Sequence, residues 1–196
     1  RYIADWRAKG LLDDNFHIAV NVAARQLARK DFAENLLARL AKHGIPERFF
    51  ALEVTESGLL SDMHNARIQL AQLAEVNIAV AIDDFGTGHS SLAYVKTLPF
   101  STLKIDRAFV MDIEKDPIDR HLALTITQLA HAVGCDVVAE GIETAAQADY
   151  LRSIGCEAAQ GYYYARPLPA DEFYRWCREW TPHSHLTLAT ESVNGA

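Results

Sequence analysis

Six short apolar runs, at residues 16–22, 49–56, 78–82, 102–106, 135–140 and 157–160, each lead into a side chain that can hold a cation or a hydrogen bond. They recur about every 20 to 35 residues, with helical patterns or connections between them, and this alternation is the mark of a parallel sheet. An open doubly wound sheet gathers its site at one switch point, from two or three strand ends. Here all six ends carry polar groups, which predicts strands ringed about a common mouth. The expected fold is α/β, a modified TIM (β/α)8-type barrel. Eight such units take about 250 residues. This chain of 196 residues supplies about six, and residue 1 already reads as helix interior, so two strands are expected to lie ahead of it.

Helices are expected at residues 1–9, 31–43, 62–75, 90–97, 116–133, 144–154 and about 168–180. In the second of these, Phe32, Leu36, Leu37 and Leu40 share one face, and Gly44 and Pro46 stop the helix. Asp116-Pro117 places proline in a first helical turn, where its missing N–H costs nothing. From 181 to 196 the chain is small and polar and is expected to be a loosely ordered tail. A net charge of −7 argues against a nucleic-acid-binding surface, so DNA is not an expected partner. No apolar run approaches the roughly 20 residues that span a bilayer, and residues 1–7 do not read as a leader. Three cysteines without Cys-x-x-Cys spacing read as reduced thiols of a cytoplasmic domain.

The chemistry centres on the third run. Residues 78–82 deliver Asp83 and Asp84 into a loop with glycines at 86 and 88. Adjacent carboxylates repel unless a cation lies between them, and the carboxyl ends of barrel strands are where such enzymes keep their chemistry. The other strand ends add Asn21, Glu53, Lys104, Asp106, Glu140 and Gln160. This is an oxygen donor set suited to Mg²⁺ or Mn²⁺, without the His or Cys that zinc prefers. Two such ions about 3.5–4 Å apart would suit hydrolysis of a phosphate ester. Each residue also has an ordinary alternative. Asn21 could cap a helix, Glu53 could form a rim ion pair, Glu143 could brace a loop, and Gln160 could satisfy backbone groups. Lys104 and Asp106 are not expected to face the mouth alike, so one of them reads as structural. Tyr162, Tyr163 and Tyr164 could stack on a base or simply pack.

Asn21-Val-Ala with Gln26, Glu53-Val-Thr-Glu56, Asp83-Asp-Phe-Gly-Thr-Gly88 with Ser90-Ser-Leu92, Lys104-Ile-Asp106, Glu140-Gly-Ile-Glu143 and Gln160-Gly-Tyr162 with Pro167-Leu-Pro169 follow one another in this order. Together they resemble the EAL domain of bacterial cyclic-di-GMP phosphodiesterases, over residues 1 to about 180. The resemblance implies a modified TIM barrel that hydrolyses cyclic di-GMP to linear pGpG with Mg²⁺ or Mn²⁺. It implies that Asn21, Glu53 and Asp83 bind one metal and that Asp84 and Glu140 help hold a second. Lys104 would position the attacking water, with Glu140 beside it in the catalytic set. Asp106 and Gln160 would support the site or its substrate. The loop from Phe85 to Ser91 would couple dimerisation to metal binding, with Glu143 as its anchor. His89 stands where an aromatic residue is usual.

The Glu-Ala-Leu tripeptide that names the family does not occur, and its glutamate is a metal ligand in relatives. The resemblance therefore implies a domain over 1–180 that lacks its front, within a longer protein that carries sensory or GGDEF-type domains and can be tethered to a membrane. The alternative is a catalytically inactive cyclic-di-GMP receptor or protein-interaction module. A different phosphate-ester hydrolase on the same barrel is a third reading.

Overall fold

The computed structural model describes residues 2–10, 16–86 and 95–179. In chain order the elements are α1 (Tyr2–Ala8), β1 (Ile18–Asn21), α2 (Ala24–Leu27), α3 (Phe32–Lys42), β2 (Phe50–Thr55), α4 (Glu56–Ser61), α5 (Met63–Ala74), β3 (Ala79–Phe85), β4 (Thr102–Ile105), α6 (Pro117–Ala132), β5 (Asp136–Ala139), α7 (Ala145–Ser153), β6 (Ala158–Ala159) and α8 (Ala170–Glu179). The six strands are all parallel and lie side by side in sequence order. The sheet curls into part of a barrel, as the six apolar runs predict.

The apolar layer lies between the sheet and its helices. Leu52, Val54, Val80, Ile82, Leu103, Ile105, Val137 and Ala139 alternate along four neighbouring strands and are all essentially buried. Full burial of one such leucine or isoleucine stabilises by about 1.5–3 kcal/mol. The alternate residues Glu53, Asp83, Lys104 and Glu140 face the other way, onto the inner surface. Polar side chains also tie the helices together. Buried Asn65 donates to Leu27 O at 2.9 Å, and buried Gln69 spans from Ala33 N to Lys30 O, at 2.9 and 3.0 Å.

Several boundaries differ from the sequence reading for local reasons. The run at 49–56 stops at Thr55, because its hydroxyl accepts the Gly58 N–H and starts a separate helix at Glu56. The run at 157–160 narrows to two ladder residues, and the one at 16–22 to four. Asp116 caps α6 through Ile118 N at 2.7 Å, with Pro117 in its first turn as expected. Residues 95–97 form a turn; the rest of the helix expected at 90–97, residue 180 and the 181–196 tail lie outside the described residues. Cys135, Cys156 and Cys177 are free thiols, and burial pushes that of Cys156 up to about 11. Among the described residues no helix is long and apolar enough to cross a membrane.

Candidate active site

At the carboxyl ends of β2 to β5 the side chain of Lys104 lies inward, only 4% exposed. Its Nζ donates to Glu53 Oε1 at 2.9 Å, Asp83 Oδ1 at 3.1 Å and Glu140 Oε1 at 2.5 Å. An ammonium has three N–H donors, and each has a carboxylate. Burial alone would lower the Lys104 pKa, but the hydrogen bonds and charges of Glu140 and Glu53 outweigh it and hold the group above its ordinary value. Burial raises Glu140, against the opposing pull of Lys104 and with added repulsion from Asp83 and Glu53. Gln160 donates its Nε2 to the same Glu140 Oε1, at 2.5 Å.

Asp83 and Asp84 reach one side of the sheet through a break in strand register. Pairing between β3 and β4 is regular through Ile82–Leu103 and resumes, shifted, at Phe85–Ile105. Between these points Asp84 has φ 54°, a left-handed conformation that aspartate tolerates better than most residues. Successive strand residues otherwise point to opposite faces. The irregularity keeps Asp84 within the field of the site. Its carboxyl is held above the usual range, first by burial, then by repulsion from Asp83 and Asp106.

Asp106 corrects one expectation. It lies two residues beyond Lys104, on the same face by strand periodicity, and it shares a hydrogen bond with Asp84 while also accepting Ala108 N at 2.8 Å. It is therefore at the site and in a turn cap at once. Asn21 sits opposite Glu53 in register and is exposed. Glu143 lies at the rim, where Arg107 Nη2 donates to its Oε1 at 2.7 Å. The role expected for Glu143 as loop anchor concerns residues up to 91, and 87–91 lie outside the described residues.

Sequence reasoning gave no role to Glu56, yet it is 1% exposed and its Oε2 accepts the N–H of Gly86 at 3.2 Å. It lies in the first turn of α4, where the helix end favours a negative charge. The available signal was a second glutamate three residues after Glu53. Arg107 was missed as well. Its stem lies against Gly141 so closely that a Cβ there would fall 2.3 Å from Arg107 Cγ.

Beside this cluster lies a cavity of about 530 Å³, lined among others by Arg107, Glu140, Glu143, Gln160, Tyr162 and Trp176. The Arg166 guanidinium sits 4.4 Å from the Tyr162 ring centroid, and that ring is half exposed. Tyr163 and Tyr164 pack edge to face at 5.2 Å, so packing is the described role of those two.

The donor chemistry fits hard divalent cations. Three carboxylates, Glu53, Asp83 and Glu140, surround the single ammonium of Lys104, so the cluster offers more anionic oxygen than one cation balances. Among the described residues, no three acidic, His or Cys side chains already enclose a cation position. Instead, the point where the carboxylates converge holds the Lys104 ammonium.

The sequence profile of the EAL domain matches residues 1–167. The cyclic di-GMP phosphodiesterase NbdA of Pseudomonas aeruginosa is 40% identical over 165 residues, which are 83% of this chain and 21% of that protein. The structure of the phosphodiesterase MucR in complex with cyclic di-GMP superposes with a TM-score of 0.82 at 37% identity, covering 88% of this chain and 69% of that one. Klebsiella pneumoniae BlrP1, solved with manganese and cyclic di-GMP, gives a TM-score of 0.74 at 27% identity, over 85% of this chain and 43% of that one. The chain spans about a fifth to a quarter of the length of the curated relatives it matches. With the strand-end residues in family order on the family's curled sheet, the chain belongs to the EAL domain family.

Proposed function

We propose that this chain is part of a cyclic-di-GMP phosphodiesterase, which opens one phosphodiester bond of the cyclic dinucleotide to give linear pGpG. The observation that carries the reading is the buried Lys104 ammonium held by Glu53, Asp83 and Glu140 at the mouth of the sheet, beside a cavity of about 530 Å³. NbdA and MucR, named for this activity, support the same substrate class.

In this proposal Asn21, Glu53 and Asp83 hold one divalent cation, and Asp84 and Glu140 help hold a second. When bound, such cations supply a charge clamp on phosphate oxygens and a more acidic water. Lys104 acts as a fixed hydrogen-bond donor. Its pKa is raised above 10.5, so at neutral pH it has no lone pair with which to accept a proton. With a carboxylate engaged by a cation, an N–H of Lys104 would be free to orient the water or to balance charge on the phosphate. Glu140, bonded to Lys104 at the same point, stands beside the water that Lys104 would orient. Gln160 holds Glu140 in place, and Asp106 supports Asp84. The front of the barrel belongs to this proposal as well: two further strands, carrying a metal-ligating glutamate, would close the gap beside β1 and β6, giving a domain that runs to about residue 180.

The test is pGpG formation by the full-length protein. Turnover is expected with Mg²⁺ or Mn²⁺, to vanish with EDTA, and to return when either ion is restored. Tight binding of cyclic di-GMP without turnover in either ion would establish the receptor reading instead. Equal cleavage of unrelated phosphodiesters would favour a different hydrolase.

We place the domain in the cytoplasm, attached to sensory or GGDEF-type domains, and expect it to work as a homodimer. Ile118 and Leu122, one turn apart on α6, leave an apolar stripe exposed. Sedimentation that shows a monomer at micromolar concentration would remove the dimer from this account.

A further inference from the structure

Two loops follow the strands that supply Lys104 and Glu140. One runs from Asp106 to Asp116 and carries Arg107; the other runs from Glu140 to Thr144 and carries Glu143. Their approach sets the Arg107–Glu143 pair on the cavity wall. Between them lies the side chain of Gln147, on the first turn of α7 and only 4% exposed.

Its Oε1 accepts the N–H of Glu143 at 2.7 Å and of Thr144 at 3.1 Å. Its Nε2 donates to Val110 O and Met111 O, both at 3.3 Å. A glutamine amide has two acceptor and two donor positions, and all four are filled by main chain, two from each loop. A capping glutamine needs only the acceptor half of this arrangement. The donor half, to a loop more than 30 residues earlier in the chain, has no capping purpose. An exposed second link, Thr144 Oγ1 to Glu114 Oε1 at 2.5 Å, joins the same loops near solvent. The Glu140 loop is also fixed on its far side, where Ile142 N donates to Gln160 O at 3.1 Å and Ile142 O accepts Tyr163 N at 2.9 Å. Gln147 thus supplies the buried link on the remaining side.

We propose that Gln147 is a positioning residue for the phosphodiesterase site: its amide welds the loop after Lys104 to the loop after Glu140, and so sets Glu140 and the Arg107–Glu143 pair against Lys104. This rests on the phosphodiesterase reading above. A glutamate at this position keeps both acceptors but turns an unpaired oxygen toward the Val110 and Met111 carbonyls. A methionine keeps the volume and loses all four bonds.

Q147E, Q147M and the control E114A are made in the full-length protein. Each is assayed with cyclic di-GMP and Mn²⁺ well below its own melting temperature. Q147E and Q147M are expected to lower kcat about 10- to 100-fold with KM changed about threefold or less, as for displaced supporting residues. E114A is expected to stay within about twofold of wild type, because its link is exposed. Amide hydrogen exchange without nucleotide gives a readout independent of turnover. The Glu143 and Thr144 amides should exchange at least about tenfold faster in Q147M and remain slow in Q147E.

Wild-type kcat in fully folded Q147E reduces Gln147 to a helix cap and overturns the proposal. So do unchanged exchange rates in Q147M, or loss of kcat that merely follows the folded fraction. If the wild type binds cyclic di-GMP without cleaving it, the phosphodiesterase reading fails and takes the catalytic role of Gln147 with it, while the exchange rates still report whether the loops are welded.

Discussion

Lys104→Met is expected to lower turnover of cyclic di-GMP by about 10²–10⁴-fold, the range for a lost positioned proton or charge group. The structure adds an effect on stability that a purely catalytic residue would not have. Removing the ammonium leaves Glu53, Asp83 and Glu140 facing one another, with side chains only 14–18% exposed. Breaking a buried ion pair by removing one partner costs about 3–5 kcal/mol, and partial solvent access puts this site toward the lower end. The cost depends on pH. Burial already holds the Glu140 carboxyl above its usual range, and Lys104 opposes that shift. Without Lys104 the folded-state value rises further above the unfolded one. A carboxyl raised in this way favours the folded state at pH below its unfolded value, and that contribution is lost as pH climbs through the folded value. In EDTA, urea titrations should therefore show the variant much closer to wild type at pH 5 than at pH 8. Divalent cations should recover part of the deficit at pH 8. Equal stability at both pH values would mean that the carboxylates are too well hydrated to depend on Lys104.

Gly161→Ala is expected to destabilise the protein by about 3 kcal/mol or more, a large effect for one methyl group. A Cβ at Gly161 would lie 2.2 Å from both the nitrogen and the carbonyl oxygen of Ile142. Those are main-chain atoms already paired, with Gln160 O and with Tyr163 N, so they cannot withdraw without breaking hydrogen bonds. The disturbance also passes to Gln160, the neighbour that bonds Glu140. Gly141→Ala is the instructive comparison. There the nearest atoms to the new Cβ belong to the Arg107 side chain, not to paired main chain: its Cγ and Cδ, at 2.3 and 2.9 Å, can rotate away, its Cβ at 2.8 Å moves only with its backbone, and a left-handed backbone at φ 72° adds to the cost. That variant should lose less stability but part the Arg107–Glu143 pair. Thermal unfolding of both settles the order, and a Gly161→Ala protein as stable as wild type would refute the close approach.

Much of this was legible in the residues themselves. Six apolar runs with polar ends dictate parallel strands around a mouth, because apolar continuity and connection length are local properties. The oxygen-rich donor set at Asn21, Glu53, Asp83, Asp84 and Glu140 is likewise a matter of composition at strand ends. Caps such as Asp116 before Pro117 are equally local.

What tertiary structure decided is which of these groups meet. Strand periodicity by itself sends Asp83 and Asp84 to opposite faces; the register shift at Asp84 is what keeps both near Lys104, and no residue pattern announces a left-handed aspartate inside a strand. That Asp106 shares the face of Lys104 follows from the count of two along one strand, whereas its hydrogen bond to Asp84 depends on the shift in the neighbouring strand. Glu56 and Gln147 look like ordinary residues of a helix's first turn. Only the folded chain brings Gly86, Val110 and Met111 to them, across 30 or more intervening residues. Sequence determines the chemistry carried to the barrel mouth through short-range preferences, whereas the partners of each side chain depend on long-range packing that those preferences do not contain.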